Sequence, residues 1–355
     1  MSDQNPQEKI AEQIRSIQTD FDSLQGKLLL NDARQRIESI NGSIANLKPR
    51  LANIRTKGYP FEKGLEPSFD NLAARWAPQY QQIINQVNIQ SGQLSAAAGP
   101  LGSQINQLSV YLSNPGYASS LISQTQASLS SFQSRVEAAE NSLQSSYGPF
   151  QTELAGLNDH LEQLEWTQTQ LAEACFQLLA AEGVILAVKA VWEHQGRSTG
   201  DDPHGVLYLT DQRLIFEQKQ ELATKKVLFI ATEKKKVQQL QLETAVALVQ
   251  NVNASKRGFL GHEDYLELTF NPGAPVQNAQ FHLDGQDCHT WQALVGRAHS
   301  KEFDQDRASA LDQAVVERVK TAPTQCPACG GAITQPVLRG MDSITCPYCA
   351  QVIRL

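Results

Sequence analysis

The chain contains no run of about 18 apolar residues, the length a helix needs to cross a bilayer. Its opening, Met1-Ser2-Asp3-Gln4-Asn5-Pro6, is polar where a secretory leader would be apolar. Both absences lead us to expect a cytoplasmic protein. Positive charge is also in short supply. The 30 lysines and arginines face 37 acidic residues, a net charge of -7 that opposes broad attraction to nucleic acid or anionic lipid. Neither a phosphate-cradling Gly-x-x-x-x-Gly-Lys-Ser/Thr sequence nor a dinucleotide fingerprint occurs. The seven histidines are scattered, without a metal pair at i, i+4 or a nucleophile nearby, and Asp201, Asp202 and His204 read as a polar loop. These gaps argue against an enzyme. Cysteine is scarce as well: there are six, of which Cys175 and Cys288 stand alone and read as buried thiols with apolar neighbours. At 355 residues the chain has room for two or three domains.

The first half is rich in helical periodicity. Apolar residues recur at steps of three and four from Ile10 to Leu179, the pattern of helices packed through narrow seams. One stripe runs through Ile14, Ile17, Phe21 and Leu24, and a second, out of phase, through Ile37, Ile40, Ile44, Leu47, Leu51 and Ile54, with a turn near Gly26. Lys57-Gly58-Tyr59-Pro60 ends that helix, and a third begins near Ser68, with a kink expected at Pro78 and an interruption at Gly99-Pro100. The last helix, over 117–180, changes heptad phase at Ala139, Leu143 and Tyr147, a stutter that coincides with Gly148-Pro149 and predicts a bent rod. Residues 1–180 are therefore expected to form an all-α coiled coil or helical bundle that closes within the chain or through a homo-oligomer.

At Gly183 the period switches to alternation. Strands are predicted over 184–192, on either side of Thr210-Asp211, and at 227–231, 245–251, 265–270 and 279–283, with a closing helix from about Asp287 that turns Trp291, Leu294 and Val295 inward. The Thr-Asp pair reads as a tight turn closed by the aspartate side chain. The stretch Gly205-Val-Leu-Tyr-Leu-Thr-Asp-Gln-Arg-Leu-Ile-Phe216, followed by Leu240-Gln-Leu-Glu-Thr244 and Trp291, resembles the pleckstrin-homology-like superfamily, in particular its GRAM and bacterial members. Over residues 183–300 that resemblance implies a bent antiparallel β-barrel with a closing helix, binding lipid in some members and protein in others. Phosphoinositide-binding members carry several basic residues around the first hairpin loop. Here the segment from Glu193 to Asp202 has Arg197 against three acids, a poor site for a highly charged headgroup. Basic residues cluster instead at Lys225-Lys226, Lys234-Lys235-Lys236 and Lys256-Arg257. They read as solvated strand edges, with a partner or membrane patch as the alternative.

The last thirty residues hold Cys326-Pro-Ala-Cys329 and Cys346-Pro-Tyr-Cys349, sixteen residues apart. A two-residue spacer lets both thiolates of a pair reach one metal, so two such knuckles make a closed tetrahedral site: a zinc ribbon over 323–355, joined by a helical linker over 301–320. Four sulfur ligands leave no open coordination position, so one Zn2+ here would be structural. Ile333, Val337 and Ile344 are the expected interior. Between the knuckles lie one arginine and one aspartate, too few charges for a phosphate-binding surface. Taken together, these features predict a multidomain, non-catalytic scaffold or adaptor with an unidentified protein partner. The alternatives are a peripheral membrane adaptor, using the lysines, and a nucleic-acid- or polymerase-associated factor, using the ribbon.

Overall fold

The computed structural model describes residues 6–108, 110, 115–193, 202–227 and 230–355; the side chains of 6, 115–117, 222–227 and 230–235 lie outside the description. The chain divides into two compact units, one over Met1–Pro49 and Pro67–Asn158, the other over Arg50–Glu66 and Asp159–Leu355.

The helical unit is built from α1 (Pro6–Gln25), α2 (Asn31–Thr56), α3 (Leu65–Leu108) and α4 (Pro115–Ala172), the ends of α2 and α4 passing into the second unit. The predicted stripes are its core: Ile17, Ile37, Leu47, Leu72, Trp76, Ile83, Val136 and Leu143 are all buried within the single chain. Phe21 of α1 packs on Phe132 of α4 with ring centroids 6.4 Å apart, and the Trp76 indole N–H donates to Asn41 Oδ1 at 3.0 Å. The expected interruption at Gly99-Pro100 does not occur, because α3 runs unbroken through Pro78 and Pro100. An interior proline costs about 3 kcal/mol, and here Ala98, Leu101, Ile105 and Leu108 bury a full stripe around it. Likewise α4 continues through Gly148-Pro149, where Tyr147 and Leu154 are buried on either side.

In the second unit, seven antiparallel strands form one sheet. They are β1 (Val184–Glu193), β2 (His204–Thr210), β3 (Arg213–Val227), β4 (Ile230–Ala245), β5 (Val249–Arg257), β6 (Glu263–Phe270) and β7 (Asn278–Asp284), in the order β4-β3-β2-β1-β7-β6-β5. Of the segment 227–231, expected as a strand of its own, Val227 ends β3 and Ile230 begins β4, the two being paired in register, while 228 and 229 lie outside the described residues. The barrel does not close by hydrogen bonding, since β4 and β5 are unpaired edges among the described residues. A 3-10 turn over Val246–Leu248 sends the chain from one edge to the other, and its backbone bonds elsewhere: Val246 N–H to Gln212 O at 2.9 Å, and Leu248 O to Asn271 N–H at 2.8 Å. Helix α5 (Cys288–His299) is capped by Asp287, which accepts from Thr290 N–H; it buries Trp291 and Val295 as predicted, whereas Leu294, also expected inward, is only half-buried, and it anchors to β5 through Gln292 Nε2 on Val252 O at 2.8 Å.

The α4 tail lies on the opposite face, where Trp166, Leu171, Ala174 and Phe176 cover Val184, Ala187, Val206, Tyr208 and Ile215. Cys288 is buried but Cys175 is exposed, contrary to expectation, because α4 ends at Ala172 and the chain leaves the periodic stripe there. Between Lys301 and Lys320 only α6 (Gln313–Lys320) is α-helical, after a 3-10 turn that buries Phe303 against Phe61, ring centroids 5.3 Å apart.

Candidate metal centre and the turn that holds it

The two cysteine pairs fold as near-copies. In the first, Cys326 N–H donates to Gly331 O and Cys326 O accepts from Gly330 N–H, both at 2.8 Å. In the second, Cys346 N–H donates to Gln351 O at 2.9 Å and Cys346 O accepts from Ala350 N–H at 3.0 Å. Each turn needs a left-handed residue after its second cysteine, and Gly330 (φ 71°) and Ala350 (φ 59°) supply it. Glycine takes that conformation freely, whereas alanine does so at a cost of about 1–2 kcal/mol. Gly331 is needed for a different reason: a Cβ there would lie 2.5 Å from the Tyr348 ring. Strands β8 (Ser343–Thr345) and β9 (Val352–Arg354) pair Ile344 with Ile353 beneath the knuckles. Ile333, Val337 and Met341 close the small core around Ile344, as expected for the first two.

The four Sγ atoms all lie within 4.8 Å of one another. Cys326 and Cys349 are 3.7 Å apart, and Cys329 and Cys346 are 3.6 Å apart, so no disulfide joins them. Zn–S bonds of about 2.3 Å at tetrahedral angles put sulfurs about 3.8 Å apart. The cluster therefore fits a single tetrahedral ion without rearrangement. The thiols pull one another in opposite directions: the Cys349 amide, foremost, holds the Cys346 thiol down to about 7, which favours the thiolate that binds metal, whereas at Cys349 the Gln351 amide is outweighed by the neighbouring thiols, which push it up to about 12.

The ribbon is seated on the strand-rich domain through one turn. Thr210, Asp211, Gln212 and Arg213, from the last residue of β2 to the first of β3, are all buried. The Thr210 hydroxyl closes the turn, accepting Gln212 N–H at 3.0 Å and Arg213 N–H at 2.6 Å, a role the sequence reading gave to Asp211. That frees the Asp211 carboxylate, which accepts Gly183 N–H at 3.0 Å, Arg307 at 2.5 Å and Arg339. Burial pushes the Asp211 pKa up, opposed by the Gly183 amide and the two guanidinium groups. The Gln212 amide pairs with both backbone groups of Arg339, donating to its carbonyl at 3.0 Å and accepting its N–H. Arg213 forks onto Glu182 at 2.9 and 2.5 Å and reaches Glu243 at 2.6 Å. Four consecutive polar residues between two apolar strands, where a turn needs only two, were the available signal for this assembly. The lone arginine between the knuckles was the other half of it.

Of the remaining basic candidates, Lys236, Lys256 and Arg257 have described side chains. Lys225, Lys226, Lys234 and Lys235 have side chains outside the description, although the backbone register sets Lys225 opposite Glu233 and Lys236 opposite Glu221. Lys256 bridges Asp264 at 2.8 Å and Asp287 at 2.9 Å, which raises its pKa and lowers that of Asp287 to about 2. Arg257 pairs with Glu267 and lies over the Tyr265 ring. The acidic segment 194–201 falls outside the described residues. Just beyond Lys256 and Arg257, at the β5–β6 tip, Phe259 and Leu260 are 86% and 78% exposed.

No family model matches the chain, and no curated protein does. Among solved structures the chain is similar to the Vps36 N-terminal PH domain, at 20% identity over 36% of this chain and 85% of that one, with a TM-score of 0.25. It is also similar to the PDZ-RhoGEF DH/PH domains solved in complex with activated RhoA, at 14% identity over 77% and 93% of the two chains, TM-score 0.26. A third similarity is to the DH/PH domains of p115-RhoGEF, at 12% identity over 76% and 92%, TM-score 0.21. Among the described residues, no helix is long and apolar enough to cross a membrane.

Proposed function

We propose that the chain is a non-catalytic adaptor in which a pleckstrin-homology-like domain and a structural zinc ribbon dock a protein partner, while the helical region supplies an extended contact surface. Cys326, Cys329, Cys346 and Cys349 hold the zinc, which organises the ribbon core. Four thiolates select zinc over the oxygen-preferring cations and leave no position for substrate. The observation that carries the choice of protein over lipid headgroup is the pairing of Lys256 and Arg257. Their charge is already met by Asp264, Asp287 and Glu267, so an anionic headgroup would have to displace carboxylates. The exposed Phe259 and Leu260 beside them offer the apolar anchors that protein interfaces use. Vesicle co-sedimentation tests this reading. The protein should ignore phosphatidylinositol bisphosphate vesicles at physiological salt, where exposed charges are screened over about 8 Å. Robust binding, abolished by neutralising Lys234, Lys235 and Lys236, would promote the membrane-adaptor alternative.

A further inference from the structure

The contact between ribbon and strand-rich domain is made by a segment anchored in the small core around the cysteine cluster. Val337 and Met341 both pack into the ribbon core beside Cys326 and Cys346, so the three residues between them, Leu338, Arg339 and Gly340, are held at both ends by that core. Leu338 N–H donates to the Met341 sulfur at 3.2 Å, and Met341 N–H to Leu338 O at 3.2 Å, which shapes the segment into a tight bend. Its apex is pressed against the domain. Gly340 sits at φ 84°, and a Cβ there would lie 2.1 Å from Ala180 O. Arg339 gives both backbone groups to Gln212 and splits its guanidinium between Asp211 and Asp304, the latter at 2.6 Å. Asp211 is in turn the carboxylate that fixes Gly183 at the start of β1 and Arg307 beyond α5.

We propose that this bend is a latch through which metal occupancy is coupled to the strand-rich domain. With the metal bound, the ribbon core holds the bend in the form that satisfies Gln212 and Asp211. Without it, a core of a few side chains has too little buried surface to stay folded, since in such small modules metal binding and folding are one event. The bend then leaves the turn, the buried Gln212 amide loses both partners, and Asp211 keeps only one of its two arginines. The ribbon is thus a metal-dependent cover for Thr210-Asp211-Gln212-Arg213, and its release exposes that polar turn. Coupling of this kind is reciprocal: whatever weakens the latch must weaken metal binding by the same factor.

That reciprocity gives the test, which rests on the zinc reading above. Zinc affinity of the full chain is measured by competition with a chromophoric chelator for wild type, Gln212→Ala and Asp304→Asn. Neither substituted residue touches a thiolate, and both lie outside the ribbon. Gln212→Ala should weaken zinc binding about tenfold, within the range of ordinary allosteric couplings, and Asp304→Asn by less. In parallel, chelation should speed amide exchange at Gln212 and Gly183 in the wild type. If Gln212→Ala perturbs the sheet, as read by circular dichroism, the Asp304→Asn result decides. Zinc binding of unchanged affinity in the variants that keep the wild-type sheet, or amide exchange indifferent to chelation, would overturn the latch while leaving the zinc ribbon intact. A full chain that takes up no zinc at all would instead remove the reading on which it rests.

Discussion

The interiors of the two units differ in chemistry. Of the fourteen buried polar or charged residues described, only Ser91 and Thr125 belong to the helical unit. Its core is a set of apolar stripes, and any side chain of the right size and greasiness serves at most of those positions. The strand-rich unit buries Glu182, Asp211, Arg213 and Glu217 inside it, and each must find a specific partner. A helical bundle built on periodicity can absorb prolines at 78, 100 and 149. A domain built around a paired carboxylate and guanidinium does not absorb the loss of Arg213 so readily, because Glu182 is left as a buried uncompensated charge.

The largest break should come at the metal site. Replacing Cys329 with serine removes one of four ligands, and structural zinc supplies about 10–16 kcal/mol to the folding of small metal modules. Elemental analysis should find about one zinc per wild-type chain and little in the variant, while the helical circular dichroism signal stays at its wild-type strength. Full zinc retention by the variant would contradict the four-thiolate assignment.

Next in size is the contrast between two buried positions. Arg213→Met strands Glu182, whose side chain is 0% exposed, and should cost about 3–5 kcal/mol. Ile37→Ala in the helical unit, also at 0% exposure, should cost about 2–5 kcal/mol through its cavity. The magnitudes overlap, but the repair distinguishes them. Adding Glu182→Leu to Arg213→Met removes the stranded charge and should return at least half of the lost stability in denaturant titration. Failure of that double variant to recover would mean that the pair's hydrogen bonds to Thr210, Leu179 and Gln177, not charge compensation, dominate.

The near-copy knuckles make a finer comparison. Ala350→Gly should stabilise the metal-bound ribbon by about 0.5–1 kcal/mol, because it relieves a left-handed alanine at φ 59°. Gly331→Ala should destabilise it, because the new methyl group meets Tyr348. Chelator resistance reads both. The same sign in both variants would contradict the geometry of the two turns.

The smallest expected effect is on pH. All seven histidines lie outside the helical unit. His160 Nε2 meets Glu62 Oε2 at 2.6 Å, and this hydrogen bond, opposed by partial burial, raises the His160 pKa. A raised folded-state pKa means that the contact stabilises fully below the unfolded value of about 6.5 and is lost as pH rises through the folded value. The thermal midpoint of wild type should exceed that of His160→Gln at about pH 5.5 and converge with it at alkaline pH. A gap that widens with pH would reverse the assigned sign.

Much of the architecture was legible in the residues. Heptad spacing located the helical stripes, alternation located most strands, and Asp287 with Trp291 marked the closing helix, because local periodicity and capping are properties of neighbouring residues. The cysteine spacing found the metal cluster for the same reason. What sequence could not supply was anything that depends on distant segments meeting. Pro100 reads as a break until the stripe packed around it is seen to hold the helix straight through. Lys256 and Arg257 read as solvated strand edges, with a patch as the alternative, until Asp264, Asp287 and Glu267 arrive from other elements to pair with them. Asp211 reads as a turn former until Arg307 and Arg339, 96 and 128 residues away, close on its carboxylate. Periods of two, three and four residues were enough to locate most of the elements and the four clustered cysteines. Which charges pair with one another, and that the ribbon is seated on the turn, came from the folded chain alone, since those pairings join residues whose separation along the chain carries no signal.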